Sequence, residues 1–246
     1  MPANYFDEPV AARYDDEESE MFAARTIDPA VDFLAGLAGL AGDGAALEFA
    51  IGTGRIAVPL SRRGVTVSGI DLSAAMVARL RAKPGADRID VTIGDIATTT
   101  VSGTYQVVYL VFNTISNLTT QDEQVDCFCN AAAHLAPGGC FVIENGVPDL
   151  QRLPPGETIR PFSVTPSHLG FDEYDVLNQG LVSHHYVFAD GRAEVNSTPF
   201  RYAWPAELDL MARIAGLRLR ERWSNWQREP FTALSRSHVS VWEKAA

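Results

Sequence analysis

The run Ala45-Ala46-Leu47-Glu48-Phe49-Ala50-Ile51-Gly52-Thr53-Gly54-Arg55-Ile56-Ala57 constrains this chain more than any other stretch. It reads as a short apolar strand, a turn of small residues and the start of a helix. Gly52 and Gly54 permit a sharp turn and let a ligand approach without meeting a Cβ. The helix behind them offers unpaired N–H groups in its first turn, suited to a carboxylate or phosphate. Pro59 falls near that turn, where a missing N–H costs least. Glu48 sets an acid beside the same opening. By itself, Gly52-x-Gly54-x-x-Ala57 also satisfies the dinucleotide fingerprint, whose third position accepts Ala. A nicotinamide cofactor is therefore open at this point, and context decides.

The context is an alternation of strands and helices. Thr26 to Leu40 reads as a helix with Asp28 as N-cap, Pro29 at its first position and Gly42 and Gly44 at its end. A strand over 45–50 and a helix over 54–63 form the first β–α unit. Val65 to Asp71 alternates and ends on an acid, and Ser73 caps a helix running to Lys83 before Pro84-Gly85. Asp90 to Gly94 is a third strand, with Asp95 just beyond it. Tyr105 to Phe112 is almost wholly apolar, as a strand buried on both faces of a parallel sheet must be. After the polar run Asn113–Asn117 comes a helix from Thr120 to Leu135, then Pro137-Gly138-Gly139 and a fifth strand, Cys140 to Glu144. Such a series gives a right-handed parallel α/β sheet that binds ligands beyond the carboxyl ends of its strands. Those ends carry Glu48, Asp71, Asp95, Asn113 and Glu144.

Past Asn145 the rhythm changes. Prolines and glycines fill 146–170, and Phe171–Val176, Leu181–Phe188 and Glu194–Trp204 read as an antiparallel meander capping the sheet's edge. Its turns are Asn178-Gln179-Gly180 and Ala189-Asp190-Gly191. Pro205 opens a helix over Ala206–Ala215, and Leu217–Trp226 and Ser237–Trp242 are the last strands. Arg218, Arg220 and Arg222 alternate as on the wet face of the first of these. The expected organisation is an N-terminal segment 1–25, a core 26–145, an inserted cap 146–204, and 205–246 completing the core. The first segment is acidic (Asp15, Asp16, Glu17, Glu18, Glu20), and its rings Tyr5, Phe6 and Tyr14 suit either a surface arm or a lid.

Composition narrows the function. The 246 residues make one large domain, and 46% hydrophobic content supplies its core. A net charge of −11 without a basic cluster beyond the three arginines argues against nucleic acid. No apolar run approaches the roughly 20 residues of a membrane span, and no signal peptide opens the chain. Three cysteines read as reduced thiols of a cytoplasmic protein, with Cys127 and Cys129 pointing apart on their helix. Asn117-Leu-Thr and Asn196-Ser-Thr are then chance sequons. No His/Asp/Glu spacing suggests a metal site. An exposed apolar meander can pair with a second copy, so a homodimer is open.

Laid end to end, these pieces resemble a class I S-adenosylmethionine-dependent methyltransferase, closely over 45–145 and loosely in the last two strands. The family's acid-x-Gly-x-Gly-x-Gly opening stands here as Glu48-x-Ala50-x-Gly52-x-Gly54, with Ala in place of the first glycine. Gly69-Ile-Asp71-Leu-Ser73 resembles the motif whose acid holds the ribose hydroxyls. Gly94-Asp95-Ile96 resembles the adenine-recognising segment, and Leu135-Ala-Pro-Gly-Gly139 a later landmark. The resemblance implies a Rossmann-like, doubly wound, mostly parallel seven-stranded sheet with antiparallel C-terminal strands and an inserted antiparallel β cap. It implies S-adenosylmethionine as cofactor, bound by Tyr14, Glu48, Ala50, Gly52, Thr53, Gly54, Arg55, Asp71, Leu72, Met76, Asp95, Ile96 and Val111. A cationic sulfonium suits an acidic, aromatic rim better than a diphosphate does. Asn113–Asn117 followed by a late cap resembles bacterial small-molecule methyltransferases of natural-product pathways.

Methyl transfer requires alignment, exclusion of water and, for a protonated nucleophile, a base. Among the histidines, His134 sits late in a helix, where a structural role suits it, and His238 lies in the last strand, away from the site. His168 precedes the meander. His184 and His185 are adjacent on a cap strand and face opposite ways. His185 is the preferred base, Asn113 the residue near the methyl, Tyr14 the ring over the sulfonium, and Asn113, Asn117 and Glu144 the substrate contacts. The expected function is methyl transfer to an N or O nucleophile of a small metabolite. The alternatives are an NAD(P)-dependent oxidoreductase and a methyltransferase-fold protein that binds the cofactor without transferring methyl.

Overall fold

The computed structural model describes residues 4–15, 20–39, 44–189 and 191–246. The acids Asp16, Glu17 and Glu18, the expected helix end at Leu40–Gly42 and Asp190 of the last cap turn lie outside the described residues. A seven-stranded sheet forms the centre, built from β1 (Ala45–Phe49), β2 (Thr66–Asp71), β3 (Asp90–Ile93), β4 (Tyr105–Leu110), β5 (Leu135–Gly146), β10 (Leu217–Trp223) and β11 (Ser237–Lys244). Its order is β10-β11-β5-β4-β1-β2-β3. The five strands β1 to β5 are parallel, β11 runs antiparallel to β5, and β10 antiparallel to β11. The chain winds outward in both directions from β1 and β4, and the crevice between their carboxyl ends is where such sheets bind ligands.

Helices cover both faces. On one, α2 (Ala24–Gly39) and α3 (Ala57–Arg62) bury Phe33, Leu34 and Leu60 against Val67, Val107 and Val241. On the other, α5 (Gln121–His134) and α6 (Pro205–Ile214) pack Phe128, Leu208 and Met211 against Leu47, Phe141 and Trp242. The near-continuous apolar runs of β1 and β4 follow from this double burial. Thr120 caps α5 in a reciprocal capping box with Glu123, and Ser73 accepts from the Met76 N–H at 3.2 Å to start α4 (Ala74–Arg81).

Helix α2 starts earlier than its cap signal suggests. A short 3-10 turn, Glu20–Phe22, leads into it, and the Ala23 carbonyl accepts from Thr26 and Ile27 N–H. The helix is already running at Asp28, so Asp28 is no N-cap and Pro29 lies inside. Cap and core part at the end of β5. The cap has four strands rather than three: β6 (Ile159–Val164), β7 (His168–Asp175), β8 (Gly180–Ala189) and β9 (Arg192–Arg201), in that order and all antiparallel. The additional strand lies in the stretch expected to be irregular. A buried polar cluster ties the cap back: Arg201 donates to Gln124 Oε1 at 2.6 Å and to Glu207 at 2.7 Å, and Gln179 donates to Glu207 at 2.7 Å.

The arginines of β10 do not share one wet face. A register shift between Leu219 and Glu221 reverses the alternation, so Arg222 turns toward α6 and pairs with Asp209 at 2.6 Å, while Arg218 stays exposed.

Candidate functional site

The rim is built from strand ends. After β1 the chain turns through Ala50, Gly52 and Gly54, all with positive φ (54°, 55° and 77°). A Cβ on Gly54 would lie 2.9 Å from Leu80 Cδ1, so this glycine is required by packing as well as by conformation. Ala50 occupies the left-handed region with a methyl group, where the family motif has glycine. At the end of β4, Phe112 and Asn113 are both left-handed (63° and 61°), a concentration of backbone strain at the rim. Phe112 is 41% exposed, and the Arg55 guanidinium lies 4.0 Å from its ring centroid.

A cavity with about 800 Å³ of empty space opens over the ends of β1, β2 and β3. Eight of the expected cofactor residues line it: Tyr14, Ala50, Gly52, Asp71, Leu72, Met76, Asp95 and Ile96. Asn117, expected on the substrate side, lines it too. So do Tyr5, Phe6, Ser73, Thr114 and Leu118, which the motifs did not single out as ligand contacts. Tyr5 and Phe6 are brought there by α1 (Glu8–Tyr14), whose N-cap is Asp7. The Ser73 hydroxyl donates to the Phe6 carbonyl, Glu8 pairs with Arg79 at 3.0 Å, and Asp15 pairs with Lys83 at 2.8 Å and accepts from Thr53 Oγ1 at 2.6 Å.

Asp71 is braced rather than free. Its two oxygens accept from the N–H groups of Gly52 (2.6 Å) and Ser73 (2.7 Å). Burial raises its pKa, against the pull of these two donors. Burial likewise raises that of Tyr14.

The remaining expected cofactor residues do not line the cavity. Glu48 is buried beneath the turn, on the α2 face. Its Oε2 accepts from the Tyr109 hydroxyl at 3.0 Å, and burial pushes its carboxyl up to about 8. It is thus mostly protonated at neutral pH, and a neutral acid exerts little pull on a cation. Thr53 is turned to Asp15, Gly54 packs on Leu80, Arg55 donates to the Met21 carbonyl at 3.1 Å, and Val111 is in the core.

A second cavity, open to solvent and with about 750 Å³ of empty space, lies between the rim and the cap. Asn113, Ser116 and Asn145 wall it from the core, and Asp172, Tyr174, Leu181, Ser183, Phe200 and Tyr202 from the cap. The single 3-10 turn Thr114–Asn117 contributes to both cavities. Asn113 Oδ1 accepts from the Gly146 N–H at 2.6 Å, and Glu144 Oε2 from the Phe112 N–H at 3.0 Å. Glu144 therefore braces the strand end and does not line either cavity.

The histidines sort differently. His134 is buried and fully used: its Nε2 accepts from Val101 N–H at 3.0 Å, and its Nδ1 meets the Asn130 carbonyl at 2.8 Å. His238, expected far from the site, pairs in register with Asn145, though it is buried there with its Nδ1 2.8 Å from Ser240 Oγ. His184 faces Ser197 and Glu173 on one side of the cap sheet. His185 shares the other side with Ser183 and does not itself line the cavity. Among the described residues no cluster of three or more His, Cys, Asp or Glu side chains is placed to hold a metal ion, and no helix is long and apolar enough to cross a membrane.

Residues 46–139 match a family described as a methyltransferase domain. The CcbJ methyltransferase from Streptomyces caelestis is 36% identical in sequence, its structure and this one cover 98% of each other, and they superpose with a TM-score of 0.86. The chain belongs to the class I S-adenosylmethionine-dependent methyltransferases. The cypemycin N-terminal methyltransferase of a Streptomyces species is 29% identical over 206 residues, 80% of this chain and 82% of its own. At 19% identity, CalS10, an amino pentose methyltransferase from Micromonospora echinaspora, shares the fold over the whole of both chains with a TM-score of 0.72, and its structure contains S-adenosylmethionine. The cofactor of this methyltransferase is thus S-adenosylmethionine and not a dinucleotide. The first cavity fits such a donor chemically: a braced carboxylate at the end of β2, apolar surface from Leu72, Met76, Ile96 and Leu118, and the rings of Tyr5, Phe6 and Tyr14.

Proposed function

We propose that this methyltransferase methylates the nitrogen of a small-molecule amine. The carrying observation is the second cavity, which adjoins the donor cavity across the turn Thr114–Asn117 and is walled by the rings of Tyr174, Phe200 and Tyr202. The reading is supported by what the similar proteins are called: an N-terminal methyltransferase, an amino pentose methyltransferase and a sugar N-methyltransferase.

In this reading Asp71 takes the ribose hydroxyls, Asp95 and Ile96 the adenine, and Ala50 and Gly52 the close backbone approach. Tyr14 closes over the sulfonium. When bound, S-adenosylmethionine supplies an electrophilic methyl on a cationic sulfur. The chain's own residues orient and enclose it. Helix α1, latched by Glu8, Asp15 and the Phe6 carbonyl, covers the donor cavity and excludes water. Asn113, fixed by Gly146, presents its amide group at the cap-side cavity. The cap, 146–204, shapes the acceptor site, with 26–145 and 205–246 as the donor-binding core.

The test is incubation with S-adenosylmethionine and a panel pairing amines with their hydroxyl counterparts: a peptide with a free N-terminus, an amino-sugar glycoside, and the matching alcohols. S-adenosylhomocysteine measured by mass spectrometry is expected with amines only. Formation with alcohols alone, or with none of the amines, refutes the proposed N-methylation.

A further inference from the structure

Among the described residues, the cap-side cavity is lined by acids and by no basic side chain. Two acids line it, Asp149 and Asp172. Asp149 is met by Arg160 and, at 3.4 Å, by Arg152. Asp172, half-buried on β7, enters no ion pair among the described residues. It stands in register with Ser183 on one neighbouring strand and Arg160 on the other. Ser183 faces it directly across the ladder, and Arg160, His184 and His185 are the charged or titratable groups around it. Arg160 is already engaged by Asp149. Tyr174, Phe200 and Tyr202 supply aromatic surface beside it. A carboxylate drawn out of water without a cation is costly. Set among aromatic rings, it is a receptor for an ammonium group.

From Ser183, which stands opposite this carboxylate, a line of polar contacts leads away. Ser183 Oγ lies 3.4 Å from His185 Nε2, and His185 Nδ1 lies 3.1 Å from His168 Nε2. The two imidazoles stack at 5.2 Å and 14°, and Phe162 covers His185 at 5.1 Å. His168 is at the β6–β7 turn, near the outer end of the cap sheet.

We propose that Asp172 holds the ammonium form of the acceptor and takes one of its protons, and that Ser183, His185 and His168 pass that proton out through the cap. The proposal rests on the N-methylation reading. An ammonium nitrogen has no lone pair: one N–H bond breaks, its electrons stay on nitrogen, and the proton goes to a carboxylate oxygen of Asp172. Ser183 then receives that proton as it gives its own to His185 Nε2, and His185 gives its Nδ1 proton to His168 Nε2. Nothing is oxidised or reduced. Ser183 stands between His185 and the cavity, so His185 is a positioning residue and Asp172 the group in contact with the acceptor. Burial, and then the neighbouring His168, hold His185 below the ordinary imidazole range, leaving it neutral and able to accept a proton at pH 7.

Cyclohexylamine and cyclohexanol, alike in shape and different in charge, test the anchor in the full chain without cofactor. NMR titration follows the Ser183 and Asn113 amides and the His185 imidazole. The amine is expected to bind roughly tenfold or more tightly than the alcohol and to lower the His185 titration midpoint, which the alcohol leaves unmoved. Asp172→Asn abolishes the preference and Asp172→Glu restores it in part. Equal binding of the two probes, or a preference that survives Asp172→Asn, overturns the proposal. For the relay, Ser183→Ala keeps the probe preference and lowers kcat about tenfold or more at unchanged KM for the amine the wild type methylates; an unchanged kcat overturns it. If the anchor behaves as expected while only alcohols yield S-adenosylhomocysteine, the ammonium site stands, and N-methylation falls together with the proton role.

Discussion

Glu48 ties the stability of the fold to pH. Its folded pKa of about 8 lies above the ordinary carboxylate value of 4.5 that it regains on unfolding. Between those two values the folded chain holds a proton that the unfolded chain has released, so stability falls as pH rises. The stabilisation is complete below pH 4.5 and gone above pH 8. The slope is about 1.4 kcal/mol per pH unit, and the whole interval amounts to something on the order of 5 kcal/mol. Glu48→Gln keeps the shape and an acceptor for the Tyr109 hydroxyl but cannot ionise. The variant is therefore expected to match the wild type to within about 1 kcal/mol at acid pH and to be more stable by a few kcal/mol at alkaline pH. Urea unfolding of both proteins from about pH 5 to about pH 9 measures it. The other titrating groups cancel in the difference between the two curves. If the two proteins lose stability in parallel across that range, the buried, proton-bearing Glu48 is wrong.

Three further outcomes are expected. Asp71→Ala lowers S-adenosylmethionine affinity by roughly tenfold or more, about 1.4 kcal/mol for each decade in calorimetry; an unchanged affinity refutes the ribose assignment. Arg201→Met strands Glu207 and Gln124 at the root of the cap and costs about 3–5 kcal/mol, a melting-temperature drop on the order of 10 °C, part of which Glu207→Gln in the same chain restores. Cys129 is exposed, whereas Cys127 and Cys140 are buried with thiol pKa values pushed up by that burial. A disulfide reagent on the native protein is thus expected to react with one thiol quickly and two slowly, and three fast thiols contradict the packing.

The parallel core was legible because double burial imposes long apolar runs and because the acids stand at strand ends, where sequence order alone puts them. Several features were not, each for a local reason. The prolines and glycines of 146–170 hid the strand over 159–164, yet β6 is the outermost strand of its sheet, where the missing N–H of Pro161 is tolerated, and its ladder slips between Pro161 and Ser163. Arg222 looked like solvation until the slip after Leu219 reversed its side; a bulge leaves no mark in an alternating pattern. In the first cavity, the motif residues Ala50, Gly52, Asp71 and Asp95 are part of the lining, while Glu48 is carried underneath by the same strand that presents the turn. Tyr5 and Phe6 arrive on the segment just ahead of α1, far in sequence from the strand ends, and in the sequence their rings suited a surface arm as well as a lid. His185 lies on the cavity-facing side of the cap sheet, but strand spacing could not show that Ser183 stands in front of it.

The turn Thr114–Asn117 has one more consequence. Gln124 Nε2 reaches the carbonyls of Ile115, Leu118 and Arg201 at 3.1–3.2 Å. One amide side chain thereby fastens the partition between the two chambers to the last strand of the cap. Reshaping the room for a bulkier acceptor displaces that partition, and the chamber next door changes with it. On the assignment of the two cavities proposed above, appetite for a new acceptor and grip on the methyl donor are inherited together, and a redesign that treats them as separate traits is expected to lose one while gaining the other.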